Sequence, residues 1–141
     1  MRQVDIMLAK ERYSGLQTLL GSCGNGGCLF LCLCSIAEEY LGKPIDLIDA
    51  IQVSRSRKWI HDDFWVADSP AILNYLTGKR WYRREVSSFP KNILANEYTI
   101  AIYFNKATRY THFKRRGYDT RVNSVTVRDG YLVGYYIYVW S

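Results

Sequence analysis

The sequence contains little histidine or proline and no long apolar segment. Its longest apolar run, residues 28–37, is broken by Ser35 and falls well short of the ~20 residues that span a bilayer. Residues 1–17 lack the continuous apolar stretch of a secretory signal, so we expect a protein that is cytoplasmic at synthesis. Because no repeat or low-complexity tract divides the chain, residues 1–141 are expected to form a single domain.

Cysteine is missing from most of the chain. All four cysteines lie within twelve residues: Cys23, Cys28, Cys32 and Cys34. A disulfide scaffold spreads its cysteines along the chain to join distant parts, so this clustering indicates free thiols in a reducing compartment.

Metal-ligand patterns are also missing from the sequence. It has no CxxC pair and no HxxxH motif. The segment HDDFWVADS holds His61, Asp62, Asp63 and Asp68, but such a segment is more typical of a loop whose acids cap the next helix. We therefore expect no metal and no other cofactor.

Acidic residues are outnumbered, with 13 against 19 lysines and arginines, which gives a formal net charge of +6. The basic residues cluster only briefly, at residues 55–58, 79–84 and 114–116, and runs this short are typical of solvated faces. We therefore do not expect specific nucleic-acid binding. The overall charge suits a polyanionic partner such as an acidic cell-wall polymer.

Helical patterns precede strand patterns along the chain. Residues 28–41 are apolar on nearly every side, which predicts a helix in the middle of the domain, ended by the GKP of residues 42–44. Asp46 begins a second predicted helix, and the DSP of residues 68–70 begins a third. The later segments KRWYRREV, EYTIAIYF, RYTHFKRR, NSVTVRDG and YLVGYYIYVW are typical of strands. This order predicts an α+β domain in which an antiparallel sheet packs on the central helix.

Cys28 lies where the glycine-rich loop GSCGNGG meets the start of the central helix. The free N–H groups and the dipole at a helix start lower the pKa of a thiol. Cys23 lies in the loop without this help, and burial would keep Cys32 and Cys34 neutral. Cys28 is therefore the predicted nucleophile. Simple packing as a small buried residue is the alternative interpretation.

The glycines would leave bare backbone beside a reacting carbonyl. The N–H of Cys28 could then donate to an oxyanion, and a side-chain amide could complete the oxyanion hole. Asn25 and Gln17 are the candidates for that amide, and Asn25 is favoured because it shares the loop with Cys28.

A base for Cys28 must be one of only two histidines. In RYTHFKRR, alternation places Tyr110, His112 and Lys114 on one strand face and Thr111 and Phe113 on the other. His112 is the predicted base; its alternative role is that of a strand histidine bonded to a neighbour.

Asp119 follows the turn at residues 116–117, and it could orient the His112 ring if the two segments pair as adjacent strands. Asn123 is the alternative orienting residue. A plain turn residue is the other interpretation of Asp119.

A cysteine at a helix start, a histidine in a strand and an aspartate after the next turn together resemble the papain-like cysteine peptidase superfamily. GSCGNGGCLF is similar to its GSCGSCW region, with Leu29 in place of the tryptophan. More closely, residues 20–140 resemble a family of small uncharacterised bacterial and phage papain-like proteins. The matching motifs are Gly27-Cys28, the PAILNYLTG of residues 70–78, Thr111-His112-Phe113 and Tyr118-Asp119, with Thr120 in place of the usual proline.

This resemblance implies a papain-like architecture with a catalytic triad of Cys28, His112 and Asp119. It implies a peptidase or amidase that hydrolyses a peptide or isopeptide bond in a peptide or protein substrate, and a cell-wall peptide would suit the basic charge. The alternative is a non-catalytic binding module of the same fold that engages a protein or nucleic-acid partner through its basic face.

Overall fold

The computed structural model describes residues 27–115 and 129–141. Helices α1 (Cys28–Leu41), α2 (Leu47–Ser56) and α3 (Ser69–Thr77) precede strands β1 (Trp81–Val86), β2 (Glu97–Asn105), β3 (Tyr110–Lys114) and β4 (Tyr131–Trp140). The predicted α+β class is confirmed over these residues. Most of the predicted strand NSVTVRDG lies outside them.

The helix ends follow from short-range chemistry that the sequence already contains. Gly27 is the N-cap residue of α1, and Gly42 ends it with a φ of 69°, a left-handed conformation that favours glycine. The N–H of Gly42 donates to the carbonyl oxygen of Glu38 at 2.8 Å. At the start of α3, the carboxylate of Asp68 accepts the N–H of Ala71 at 3.1 Å, as its predicted capping role requires.

Helix α1 forms the centre of the core. Its residues 30–37 are all buried, and it packs against α3 and β3. Ile72 and Leu73 of α3 belong to the same buried cluster. The predicted central helix is therefore confirmed. Among the three helices described, none is long and apolar enough to cross a membrane.

The four strands form one antiparallel sheet in the order β1-β4-β2-β3. Among the described strands, β1 and β3 are therefore the outermost. The pairing of β2 with β4 shifts between Ile102 and Tyr103, which marks a bulge. Gly134 of β4 lies so close to β1 that an added Cβ would be 2.7 Å from the carbonyl oxygen of Val86.

The register assigns the side chains to two faces, because residues directly paired across strands share a face. The face that packs on α1, termed the helix face, carries Tyr98, Ile100, Phe113, Tyr136 and Tyr138, all in or against the buried cluster. The opposite face, termed the outer face, carries Thr99, Ala101, Tyr103, His112, Lys114 and Tyr135.

Candidate active site

Cys28 is the first residue of α1. Its N-cap residue, Gly27, has no side chain to occupy the N–H groups of the first turn, and that turn contains no acidic residue. Cys28 is half-buried, whereas Cys32 and Cys34 are fully buried. Of these three thiols, the predicted nucleophile is therefore the accessible one.

Helix α1 and strand β3 run side by side in the same direction. Cys32 donates its thiol hydrogen to the carbonyl oxygen of Phe113, with the sulfur 3.5 Å from the oxygen. Further along both elements, Arg115 donates to the hydroxyl oxygen of Ser35 at 2.8 Å. Arg115 also forms an ion pair with Glu39. Later residues of the helix thus contact later residues of the strand, so the two elements run parallel.

Cys28 lies on the same side of α1 as these contacts, because residues 28, 32, 35 and 39 are three or four positions apart. Four residues of helix rise about 6 Å, which corresponds to about two residues of strand. Counting back two strand residues from the contact between Cys32 and Phe113 places Cys28 near the level of Thr111. The helix that begins at Cys28 thus packs against the strand that contains the predicted base.

His112 is buried, with 5% of its surface exposed, and pairs with Tyr103 of β2. Alternation places His112 on the outer face, while Phe113 lies on the helix face and packs nearly parallel to Tyr136, with ring centroids 5.9 Å apart. The predicted alternation along β3 is therefore confirmed. Within residues 27–115 and 129–141, β3 pairs with β2. Since α1 packs on the helix face, His112 and α1 lie on opposite faces of β3.

The remaining residues predicted for the triad and the oxyanion hole lie outside the described residues. These are Asp119 with its alternative Asn123, and Asn25 with its alternative Gln17. Their roles stay predictions.

The loop HDDFWVADS uses its polar groups locally. The His61 ring packs against Trp65 with centroids 5.0 Å apart. Asp62 pairs with an arginine of α2 at 2.9 Å, and Asp63 accepts the N–H of Trp65 at 3.0 Å. Asp68 caps α3. Over residues 27–115 and 129–141, no three His, Cys, Asp or Glu side chains are grouped as metal ligands.

Arg115 is the residue whose role the sequence did not indicate. The short basic run at residues 114–116 predicts a solvated face, which is wrong for Arg115, whose side chain is only 11% exposed. Ser35, its partner, also donates to the carbonyl oxygen of Cys32 at 2.7 Å. The available signal was Ser35 itself, because a polar residue inside an apolar helix needs hydrogen-bond partners.

Comparison with known proteins finds no relative. No model of a known protein family matches the chain, no curated protein matches it, and no solved structure matches it. The resemblance to papain-like peptidases therefore rests on the sequence motifs alone.

Proposed function

We propose that the protein is a papain-like cysteine peptidase or amidase with Cys28 as its nucleophile. The observation that carries this proposal is the position of Cys28, half-buried at the start of the central helix, whose next turn contacts β3 through Cys32 and Phe113. A helix start favours a thiolate through its free N–H groups and dipole. The neighbouring thiols Cys32 and Cys34 are too buried to meet a substrate.

In the proposed mechanism, the Cys28 thiolate attacks the carbonyl carbon of an amide, and the electron pair moves onto the oxygen. The N–H of Cys28, with Asn25 or Gln17, would stabilise this oxyanion. His112, as an imidazolium oriented by Asp119 or Asn123, gives its proton to the leaving amine as the C–N bond breaks. Water then attacks the resulting thioester and gives its proton to His112. The C–S bond breaks, the carboxylic acid leaves, and the Cys28 thiolate and the His112 imidazolium are restored.

This proposal needs the His112 imidazole to reach the Cys28 thiol although α1 packs on the opposite face of β3. The hydrogen bond from Cys32, one helical turn after Cys28, to Phe113, the residue after His112, supports the required approach. The proposed substrate is a peptide or isopeptide bond. A cell-wall peptide is favoured by the net charge of +6, since the bacterial envelope is polyanionic.

A burst experiment with p-nitrophenyl acetate tests the proposal without knowledge of the natural substrate. The Cys28 thiolate should displace one p-nitrophenolate per protein molecule, leaving an acetyl thioester that mass spectrometry locates on Cys28. Cys28→Ser should abolish the burst, and His112→Gln should slow it by about 100-fold. The exposed His61 provides the matched control, and His61→Gln should behave as the wild type. A burst that persists in Cys28→Ser, or equal rates in the two histidine variants, rejects the proposal.

A second candidate function is non-catalytic binding of a polyanionic partner along the edge strand β1. Tyr82, Arg83 and Arg84 of this strand are exposed, and the Arg80 guanidinium lies 5.5 Å from the Tyr82 ring centroid. Such binding should weaken steeply with salt and should survive Cys28→Ser. Titration of heparin into both proteins at two salt concentrations separates it from the peptidase.

A further inference from the structure

The outer face of the sheet contains a cleft that the proposed reaction does not use. Its volume is about 330 Å³, within the range of small-molecule sites. The residues that line it are Phe89, Thr99, Ala101, Tyr103, Lys114 and Tyr135. We term this site the outer cleft.

The register explains the shape of the outer cleft. Tyr135, Ala101 and Lys114 form a row across β4, β2 and β3, because Ala101 pairs with both of the others. Adjacent strands lie ~4.8 Å apart, so the ends of this row are separated by about 10 Å. The side chain of Ala101 is only a methyl group, and it lies between the Tyr135 ring and the Lys114 side chain. A planar ring, which needs ~3.5 Å on each side, fits such a slot.

Aromatic side chains provide the walls of the cleft. Phe89 contacts Tyr135 edge to face, with centroids 5.3 Å apart and an interplanar angle of 76°. This contact constrains the Tyr135 ring beside the slot, while Tyr103 lies further along β2. Flat ligands stack favourably on such rings, so the walls select for a planar group.

Among the described residues that line the outer cleft, Lys114 alone is charged. The acidic residue nearest along β2 on this face, Glu97, is already engaged: it pairs with Arg84 at 2.6 Å and accepts the N–H of Leu94 at 2.9 Å. Among residues 27–115 and 129–141, no carboxylate forms an ion pair with Lys114. The described residues thus leave its ammonium group able to contact an anion.

We propose that the outer cleft binds a planar aromatic ring that carries an anionic group. The ring stacks on Tyr135 above the methyl group of Ala101, and the anion contacts Nζ of Lys114. Two kinds of small molecule have this chemistry, aromatic carboxylates and nucleoside monophosphates. The proposal does not depend on the peptidase reaction.

Titration of the full chain followed by ¹H–¹⁵N NMR tests the outer cleft. The probes are 4-hydroxyphenylacetate and adenosine 5′-monophosphate, with acetate and inorganic phosphate as ringless counterparts. Either ring-bearing anion should bind saturably, shift the amide signals of residues 99–103 and 114, and bind at least about tenfold more tightly than its ringless counterpart. The probe that binds more tightly identifies the source of the ligand.

Variants assign the binding to named side chains. Lys114→Met should weaken binding about tenfold, because a charged hydrogen bond is lost, whereas the matched change Lys43→Met at an exposed site after α1 should leave it unchanged. Ala101→Leu should fill the slot and abolish binding. If Ala101→Leu does not fold, binding by Lys114→Met still tests the proposal. The proposal is overturned if neither ring-bearing probe binds, if ringless anions bind equally well, or if Lys114→Met binds as Lys43→Met does.

Discussion

Cys32 and Phe113 are 81 residues apart in the sequence, yet the Cys32 thiol donates a hydrogen bond to the Phe113 carbonyl oxygen across 3.5 Å. This contact fixes the position of α1 along β3. It therefore also limits where Cys28, one helical turn before Cys32, can lie relative to His112, which precedes Phe113. Any chemistry between these two side chains depends on this relationship.

Because Cys32 and Cys34 have no exposed surface, we predict that they react with iodoacetamide only through unfolding. Their alkylation rates should rise with urea in parallel with the unfolded fraction. Cys28 should be alkylated in the native protein without urea. Peptide mass spectrometry after timed quenching measures all three rates. Native-state alkylation of Cys32 or Cys34 as fast as that of Cys28 would contradict the assigned burial.

Arg115 should contribute measurably to stability through its contacts with α1. Arg115→Met removes a charged donor from the buried Ser35 hydroxyl and should lower the free energy of unfolding by about 1–3 kcal/mol. Glu39→Gln should cost less than about 1 kcal/mol, because the Glu39 side chain is 58% exposed.

Urea unfolding measures both changes at Arg115 and Glu39. Lys43→Met serves as the control, since Lys43 is exposed, and should change the free energy of unfolding by less than about 0.5 kcal/mol. A cost for Arg115→Met no greater than that of the control would show that the contact with Ser35 does not stabilise the fold.

Tyr138 should make the stability depend on pH in the alkaline range. Its hydroxyl donates to Ser69 at 3.0 Å, and burial raises the pKa of Tyr138 from 10.0 to about 12. Since the folded-state pKa is the higher one, the unfolded chain ionises first. The contribution of Tyr138 to the free energy of unfolding is complete below pH 10 and is lost as the pH rises from about 10 to about 12. By pH 11 the loss amounts to about 1 kcal/mol.

Tyr138→Phe removes this ionisation. Between pH 9 and pH 11, the free energy of unfolding of the variant should therefore fall by about 1 kcal/mol less than that of the wild type. Tyr82 is an exposed tyrosine of β1, so Tyr82→Phe should follow the wild type. Equal pH dependence in Tyr138→Phe and Tyr82→Phe would contradict the predicted role of burial.

Local features of the fold could be predicted from the sequence because local chemistry determines them. Gly42 and Asp68 mark helix ends through backbone conformation and capping, and both do so in the structure. The order of the strands could not be predicted in this way. β4 is last in the sequence but lies between β1 and β2, a pairing that depends on contacts between distant segments.

The same distinction applies to the candidate site. Alternation along β3 predicted that the His112 and Phe113 side chains lie on opposite faces of the sheet. It could not predict which of the two faces packs on α1, because that depends on how the helix and the sheet pack together. Arg115 follows Phe113 by two residues and is therefore on the helix face, where Glu39 and Ser35 bind it. A basic run alone carries no information about that packing.

The pH dependence of Cys28 alkylation tests the central claim most directly, because it reports the ionisation of the proposed nucleophile without a substrate. The rate constant for iodoacetamide should be measured from pH 4 to pH 10 in the wild type, His112→Gln and His61→Gln. The account predicts an apparent pKa well below the ~8.5 of a free thiol in the wild type and His61→Gln, and a return toward ~8.5 in His112→Gln. An apparent pKa near ~8.5 in the wild type, or one that His112→Gln leaves unchanged, would contradict it.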